Sequence, residues 1–178
     1  LLLVYWDKRA REPNAGIRLY RNKAGLEFGD VTTKTGIESI GERAAALADL
    51  DGDGAVDLVQ LSSDLLRVSL NRDGVFEQAT EKGVEDGTAI AAGDADGDGD
   101  IDLYVLQGRS RSGSRDVIML NDGDGRSFSR LDVPEVSGGS EDDVVALDYD
   151  TDGRTDFLAL NGRNSERGPV QLITLRPA

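Results

Sequence analysis

The 178-residue sequence contains no cysteine and no histidine. The first absence excludes disulfides, thiolate nucleophiles and cysteine-ligated zinc; the second excludes histidine acids, bases and triads. Aromatic residues are few, with one Trp, four Tyr and four Phe, so a sugar-stacking site repeated along the chain is poorly supplied. Positive charge is outweighed: 34 acidic residues face 20 basic ones and leave −14. A polyanion of this kind repels nucleic acid and anionic lipid, and neither is expected as a partner. Long hydrophobic runs are also missing. Leu1 to Trp6 gives six apolar residues before Asp7, Lys8 and Arg9, against ~7–15 for a signal core and ~20 for a membrane span. That stretch reads as a strand, and no membrane insertion is expected. With Leu in place of an initiating Met, the expectation is a mature form or a fragment.

What the chain does have is repetition. Three segments align without gaps: DLDGDGAVDLVQL (Asp49 to Leu61), DADGDGDIDLYVL (Asp94 to Leu106) and DYDTDGRTDFLAL (Asp148 to Leu160), with starts 45 and 54 residues apart. A second signal runs in phase with the first. In RLYRNKAGLEFGDVT, RVSLNRDGVFEQAT and VIMLNDGDGRSFSRLDV an Asn (Asn22, Asn71, Asn121) precedes a Gly-containing turn and then an aromatic residue (Phe28, Phe76, Phe128).

Each repeat resolves into four short strands. An apolar run enters the acidic loop (Ala44 to Ala48, Ala89 to Ala92, Val144 to Leu147), and apolar or alternating stretches follow (in one repeat Val56 to Leu61, Leu65 to Leu70 and Val75 to Thr80), separated by Gly, Asn, Asp and Ser turns. These are strands A, B, C and D. Ala44 to Leu50 alone would pass for a helix, but its counterparts are too short and, at Val144 to Leu147, too β-branched. Four strands per ~40–50 residues is the blade of a β-propeller. The chain opens on a strand B and closes after a strand C, so the predicted order is BCD, ABCD, ABCD, ABC. That is about fourteen strands or three and a half blades: an incomplete blade at 1–37, blades at 44–84 and 88–134, and a second incomplete blade at 143–178. An all-β propeller of ~4–8 blades needs more than this. The remaining blades are expected from a longer chain or from a second copy.

The acidic loops carry the chemistry. Carboxylates stand at loop positions 1, 3, 5 and 9: Asp49, Asp51, Asp53 and Asp57; Asp94, Asp96, Asp98 and Asp102; Asp148, Asp150, Asp152 and Asp156. Position 6 is always Gly, and position 7 (Ala55, Asp100, Arg154) is free to vary because only its backbone carbonyl would be used. Ca2+ takes six to eight oxygens, and alternate carboxylates on a loop curled at Gly are how a short segment wraps them round one ion. Two carboxylates ~5 Å apart repel by about 3 kcal/mol at an effective dielectric near 20, so the loops call for a cation. Three calcium ions would bring −14 to −8. An EF-hand is excluded, because position 12 is Gln60, Val105 or Ala159 where a bidentate Glu belongs, and no amphipathic helix flanks the loops. Mg2+, which keeps its waters, suits such cages less well.

These residues resemble the FG-GAP or VCBS repeat family, the propeller blades of integrin α-subunit heads and of cartilage acidic protein and UnbV-type proteins. The resemblance rests on DxDGDGxxDL at Asp49 to Leu58 and Asp94 to Leu103, the looser Asp148 to Phe157, and LYRNxxGxxFxDVT at Leu19 to Thr32. It implies a seven-bladed propeller with calcium in the A-to-B loops and a role in adhesion or partner binding. Phe28 and Gly29 keep the letters FG, but no GAP follows. In the first blade Leu2 is taken to stand at the ninth loop position, so no site is expected there.

The expected function is a calcium-binding module for protein–protein interaction or adhesion and not an enzyme; the alternative is a carbohydrate-binding or polysaccharide-degrading propeller. Loops without the bidentate Glu fall in the ~10⁻⁴–10⁻³ M class suited to extracellular calcium, which places the protein outside the cell or in a periplasm. Basic B-to-C loops (Lys8, Arg9, Arg11; Arg109, Arg111, Arg115; Arg163, Arg167) are either a recognition surface or solvated hairpin tips. Tyr5 and Trp6 are assigned to strand packing, and Asp100 and Asp143 have no nucleophile beside them in the sequence pattern.

Overall fold

The computed structural model describes residues 2–4, 16–25, 27–108, 115–134, 141–161 and 170–176, and among these there is no α-helix. Fourteen strands form four antiparallel sheets. The first holds β1 (Leu2–Val4), β2 (Ile17–Asn22) and β3 (Phe28–Asp30); the second β4 (Ala44–Ala48), β5 (Asp57–Leu61), β6 (Leu65–Arg72) and β7 (Val75–Gly83). The third holds β8 (Gly87–Gly93), β9 (Asp102–Gln107), β10 (Val117–Asn121) and β11 (Phe128–Asp132); the fourth β12 (Glu141–Leu147), β13 (Asp156–Asn161) and β14 (Gln171–Ile173). Strands follow one another in each sheet as a simple meander, so the BCD, ABCD, ABCD, ABC order holds. A short 3-10 turn, Thr32–Lys34, follows β3. No helix among the described residues is long and apolar enough to cross a membrane.

The strands differ by their place in the blade. β5 and β9 are buried along their whole length, because a second strand in a stack of sheets has neighbours on both faces; their sequences are accordingly apolar runs. The outermost strands β7 and β11 are mostly exposed and carry Glu, Lys, Ser and Arg, the charged dressing that protects a sheet edge from pairing further. The innermost strands meet across sheets, β4 against β8 and β8 against β12. That convergence is the radial plan of a propeller, and it explains AAALA in β4 and GTAIAAG in β8: space narrows toward an axis, so small residues fit. Gly93 shows how narrow it is, since a Cβ there would sit 2.4 Å from Cγ2 of Thr155 in the next blade.

The core lies between the sheets. Leu50, Val59, Leu61, Val68, Val105 and Met119 join the second and third sheets, while Tyr104, Ile118, Val144, Phe157 and Ala159 join the third and fourth. A smaller cluster of Ile17, Ile37 and Leu58 joins the first and second. Among the described residues no strand packs on the far face of the fourth sheet. Val145, Leu158 and Leu172 lie abreast across β12, β13 and β14, and Val145 and Leu172 remain exposed.

One detail of register is corrected. Leu2 pairs with Leu19, three residues before Asn22, as Val59 pairs with Val68, three before Asn71. Leu2 is therefore the counterpart of Val59, not of a ninth-position Asp.

One ring pair sits within the junction of the third and fourth sheets. Phe157 is 1% exposed and its ring centroid lies 5.0 Å from that of Tyr104, whose hydroxyl donates to Asp116 at 2.8 Å. Phe157→Ala is expected to cost about 3–5 kcal/mol in urea unfolding; a loss under about 1 kcal/mol would show that the blade junction does not depend on this pair.

Candidate metal centres

The three loops between strands A and B share one hydrogen-bonding pattern. The position 6 glycine donates its N–H to the position 1 carboxylate: Gly54 to Asp49 at 3.0 Å, Gly99 to Asp94 at 3.0 Å, Gly153 to Asp148 at 3.2 Å. Position 7 donates to position 5: Ala55 to Asp53 at 2.8 Å, Asp100 to Asp98 at 2.9 Å, Arg154 to Asp152 at 2.9 Å. Position 5 donates to position 3 at 3.2–3.4 Å in every copy. Such a ladder curls the chain into a ring, and it needs positive φ at position 6, met by Gly54 at 86°, Gly99 at 99° and Gly153 at 88°.

Curling brings carboxylates together. Oxygens of Asp49, Asp51 and Asp53 lie within 4.8 Å of one another, as do those of Asp94, Asp96 and Asp102, and those of Asp148, Asp150 and Asp152. Asp98 lies outside its trio, as do Asp57 and Asp156. The donor set is all oxygen, the kind hard cations such as Ca2+ take. Oδ1 of Asp49 is buried and has no hydrogen-bond partner; a buried carboxylate oxygen left so is costly unless a cation satisfies it. The residues present therefore fit a divalent ion.

The ninth-position aspartates have a task of their own. Asp57, Asp102 and Asp156 are 0%, 1% and 3% exposed. Asp57 accepts N–H bonds from Leu50 and Asn71, both at 2.8 Å, and Asp102 accepts them from Ala95 at 2.7 Å and Asn121 at 2.8 Å. Asp156 accepts one from Tyr149 at 2.8 Å. Each thus ties the start of the loop into the sheet, and Asp57 and Asp102 also hold the end of strand C. Burial pushes the Asp102 carboxyl up to about 6, helped by the charges of Asp96 and Asp98 and opposed by its two N–H bonds; burial likewise raises Asp57.

Two sets of contacts at the site are not legible in the sequence. Arg72, the last residue of β6, places Nη2 2.5 Å from Asp51 and Nη1 2.6 Å from Asp53, so the first loop has a counter-cation of its own. Its position in the third sheet is Asp122. The repeated Asn is the second feature: Nδ2 of Asn121 donates to the carbonyl of Leu50 in the preceding loop at 2.7 Å, and Nδ2 of Asn71 to Val56 at 3.0 Å. Its Oδ1 caps the C-to-D turn, accepting from Gly125 at 3.1 Å and Gly74 at 2.8 Å. The spacing exposed the Asn anchors, but their cross-bracing needs the fold.

Elsewhere, Tyr5, Trp6, Lys8, Arg9, Arg11, Arg109, Arg111, Arg163 and Arg167 lie outside the described residues. Arg115 is exposed, and its carbonyl accepts a bond from the Gln107 side chain. Asp143 is exposed and accepts the Val144 N–H at 2.9 Å.

Position 4 is Gly52 and Gly97 in two loops, at φ of 68° and 83°, and Thr151 at 61° in the third. A β-branched residue is strained there. Thr151→Gly is expected to raise stability by about 0.5–1 kcal/mol, the left-handed penalty less the added freedom of the unfolded chain. Denaturant unfolding checks it, and a lower midpoint would contradict the strain.

A profile of the FG-GAP-like repeat family matches residues 49–105 and 94–159, each match running from one acidic loop into the next blade. No curated protein matches the chain significantly. Among solved structures, a lectin of Agrocybe aegerita matches with a TM-score of 0.52 and 22% identity, over 89% of this chain and 46% of that one. This chain thus spans about half the length of that structure, and the likeness is one of fold. The profile covers well over half of the 178 residues, with three in-phase loops at its anchor points, and the chain belongs to the FG-GAP-like repeat family.

Proposed function

We propose that the protein is a calcium-stabilised propeller module that presents its surface to a protein partner, in recognition or adhesion, outside the cell or in a periplasm. The observation that carries the calcium part is the orphaned, buried Oδ1 of Asp49 within a trio of carboxylates. The ions are structural: each neutralises a crowded carboxylate cage at the end of a strand A, where the loop also touches the neighbouring blade. Thr155 donates its N–H to the Asp94 carbonyl at 2.6 Å, so an ordered loop also braces the blade beside it. Further blades, from a longer chain or a second copy, would cover Val145 and Leu172.

A non-catalytic role is supported by the residue inventory, which lacks His and Cys. The compartment is read from the loop chemistry, since loops with no bidentate Glu at position 12 are expected to suit millimolar calcium. A second reading, carbohydrate binding, is favoured by a polar crevice on the second sheet, lined by Gln60, Arg67, Ser69 and Gln78 under the segment at residues 36–38. The Agrocybe aegerita lectin recognises non-reducing terminal N-acetylglucosamine.

Calcium is expected to raise the melting temperature, with each site adding about 1.4 kcal/mol at a tenfold excess over its Kd; magnesium should add less and EDTA should reverse the gain. Equal stability in calcium and EDTA would contradict the reading. This gain depends on pH. With its folded pKa raised to about 6, metal-free Asp102 contributes stability that is present below about 4 and lost as pH rises through 6. Calcium needs the ionised carboxylate, so the difference in melting temperature with and without calcium should grow from pH 5 to pH 7.

Arg72 sets the first loop apart. Its guanidinium competes with a metal for Asp51 and Asp53, so Arg72→Gln is expected to tighten calcium binding there several-fold and leave the Asp94–Asp102 loop unchanged. Terbium luminescence titration of single-loop variants reads this; weaker binding in Arg72→Gln would show that the arginine supports the metal site.

A further inference from the structure

From its polar lining we infer that the crevice between the second sheet and the strap at residues 36–38, beside Phe76, is a binding site for a single neutral sugar ring. It rests on the carbohydrate reading above and gives that reading a place and a set of contacts.

The case begins with a comparison of the same blade face in three sheets. On the third sheet, the face turned to the preceding blade carries Val105 and Val117 side by side, and Leu103 with Met119. On the fourth it carries Ala159 with Gln171, and Phe157 with Ile173. On the second, the paired residues are Gln60 with Arg67, and Leu58 with Ser69. Three of the four positions that pack a core in the third sheet are polar here, and Gln60 and Ser69 are only 1% and 5% exposed. Polar side chains in an inter-blade interface weaken packing, so they persist where they have another use.

The packing they fail to complete leaves a cavity of about 240 Å3, lined also by Glu38 and Gln78, with Phe76, Leu58 and Ile37 as apolar wall. A second cavity of about 290 Å3 adjoins it across Phe76, toward the Asn22 and Asn71 turns. Gln60 is partly committed: its Nε2 donates to the Glu38 carbonyl at 2.9 Å and to Glu42 at 2.6 Å, which ties down the strap between the two sheets. That structural use does not extend to the others. Ser69 and Gln78 make no side-chain hydrogen bond among the described residues, and Arg67 uses Nε on Glu81 at 2.7 Å, leaving its Nη groups for a ligand.

The chemistry selects the ligand. Hydroxyl, amide and guanidinium groups beside an aromatic and aliphatic wall match a ring with polar edges and an apolar face. The Arg67 charge is offset by Glu81, while Glu38 and a chain charge of −14 disfavour an anion. An uncharged ring with polar edges fits this mixed amide, hydroxyl and guanidinium lining. Its occupancy requires no calcium contact.

Saturation-transfer NMR on the full chain in calcium, with glucose, galactose, mannose and N-acetylglucosamine as probes, tests the site. The intact chain is expected to show transfer to at least one sugar. Ser69→Met installs the residue found at Met119 and removes no hydrogen bond; it should lose about tenfold or more in affinity while keeping its calcium-dependent melting temperature. Gln78→Ala, on an exposed strand, serves if Ser69→Met does not fold, with a loss in the same direction. No transfer to any sugar overturns both the site and the carbohydrate reading. Binding that is equal in the intact chain and in both variants overturns the site and leaves the carbohydrate reading standing elsewhere on the molecule.

Discussion

A carboxylate buried at the foot of each acidic loop is the constraint from which the rest follows. Asp57 and Asp102 each accept two backbone N–H bonds, one from the loop's own second residue and one from the end of strand C. Those bonds fix where the loop leaves the sheet, and so fix where Asp49, Asp51 and Asp53 converge in the first loop and where Asp94 and Asp96 meet Asp102 in the second. The arrangement is costly in isolation, since burial alone raises both carboxyls and the trio adds mutual repulsion. A divalent cation held by the trio would offset that repulsion. In this chain the same strand geometry sets out a carboxylate trio three times.

The solutions are not identical, and the differences are informative. The first loop has Arg72 as an internal counter-ion, the second has none at the matching Asp122, and the third has Thr151 where the others have glycine. Repetition sets the scaffold; deviations from it mark where the blades diverge in affinity or strain. The same logic applies to the blade faces, where Gln60, Arg67 and Ser69 replace a pattern that is mostly apolar elsewhere. Loops and faces are read in the same way: what is common to the blades is structural, and what is peculiar to one blade is a candidate for function.

This explains how much of the molecule was legible in the sequence. Strand order, the loop aspartates and the Asn anchors recur in phase, and recurrence at a fixed period is visible without coordinates. The meander of four sheets follows that reading closely: among the described residues the opening sheet holds strands B, C and D and the closing sheet strands A, B and C. What stayed hidden depends on distance across the fold. Nothing in the sequence places Arg72 over Asp51, 21 residues away, or Asn121 over Leu50, 71 residues away. The register of β1 was misplaced because three apolar residues with no Asp or Gly among them offer no internal marker. The polar face of the second blade was equally opaque, since Gln60 and Ser69 read as ordinary strand residues until their pairing partners are known.

The central claim is that the carboxylate trios are cation cages, and anomalous diffraction from crystals grown in calcium tests it most directly. The account predicts three peaks per chain, each about 2.3–2.6 Å from oxygens of the Asp49, Asp94 and Asp148 loops, with the Arg72 guanidinium displaced from Asp51 and Asp53. Loops without peaks at saturating calcium, or Arg72 still seated between its two aspartates, would contradict it.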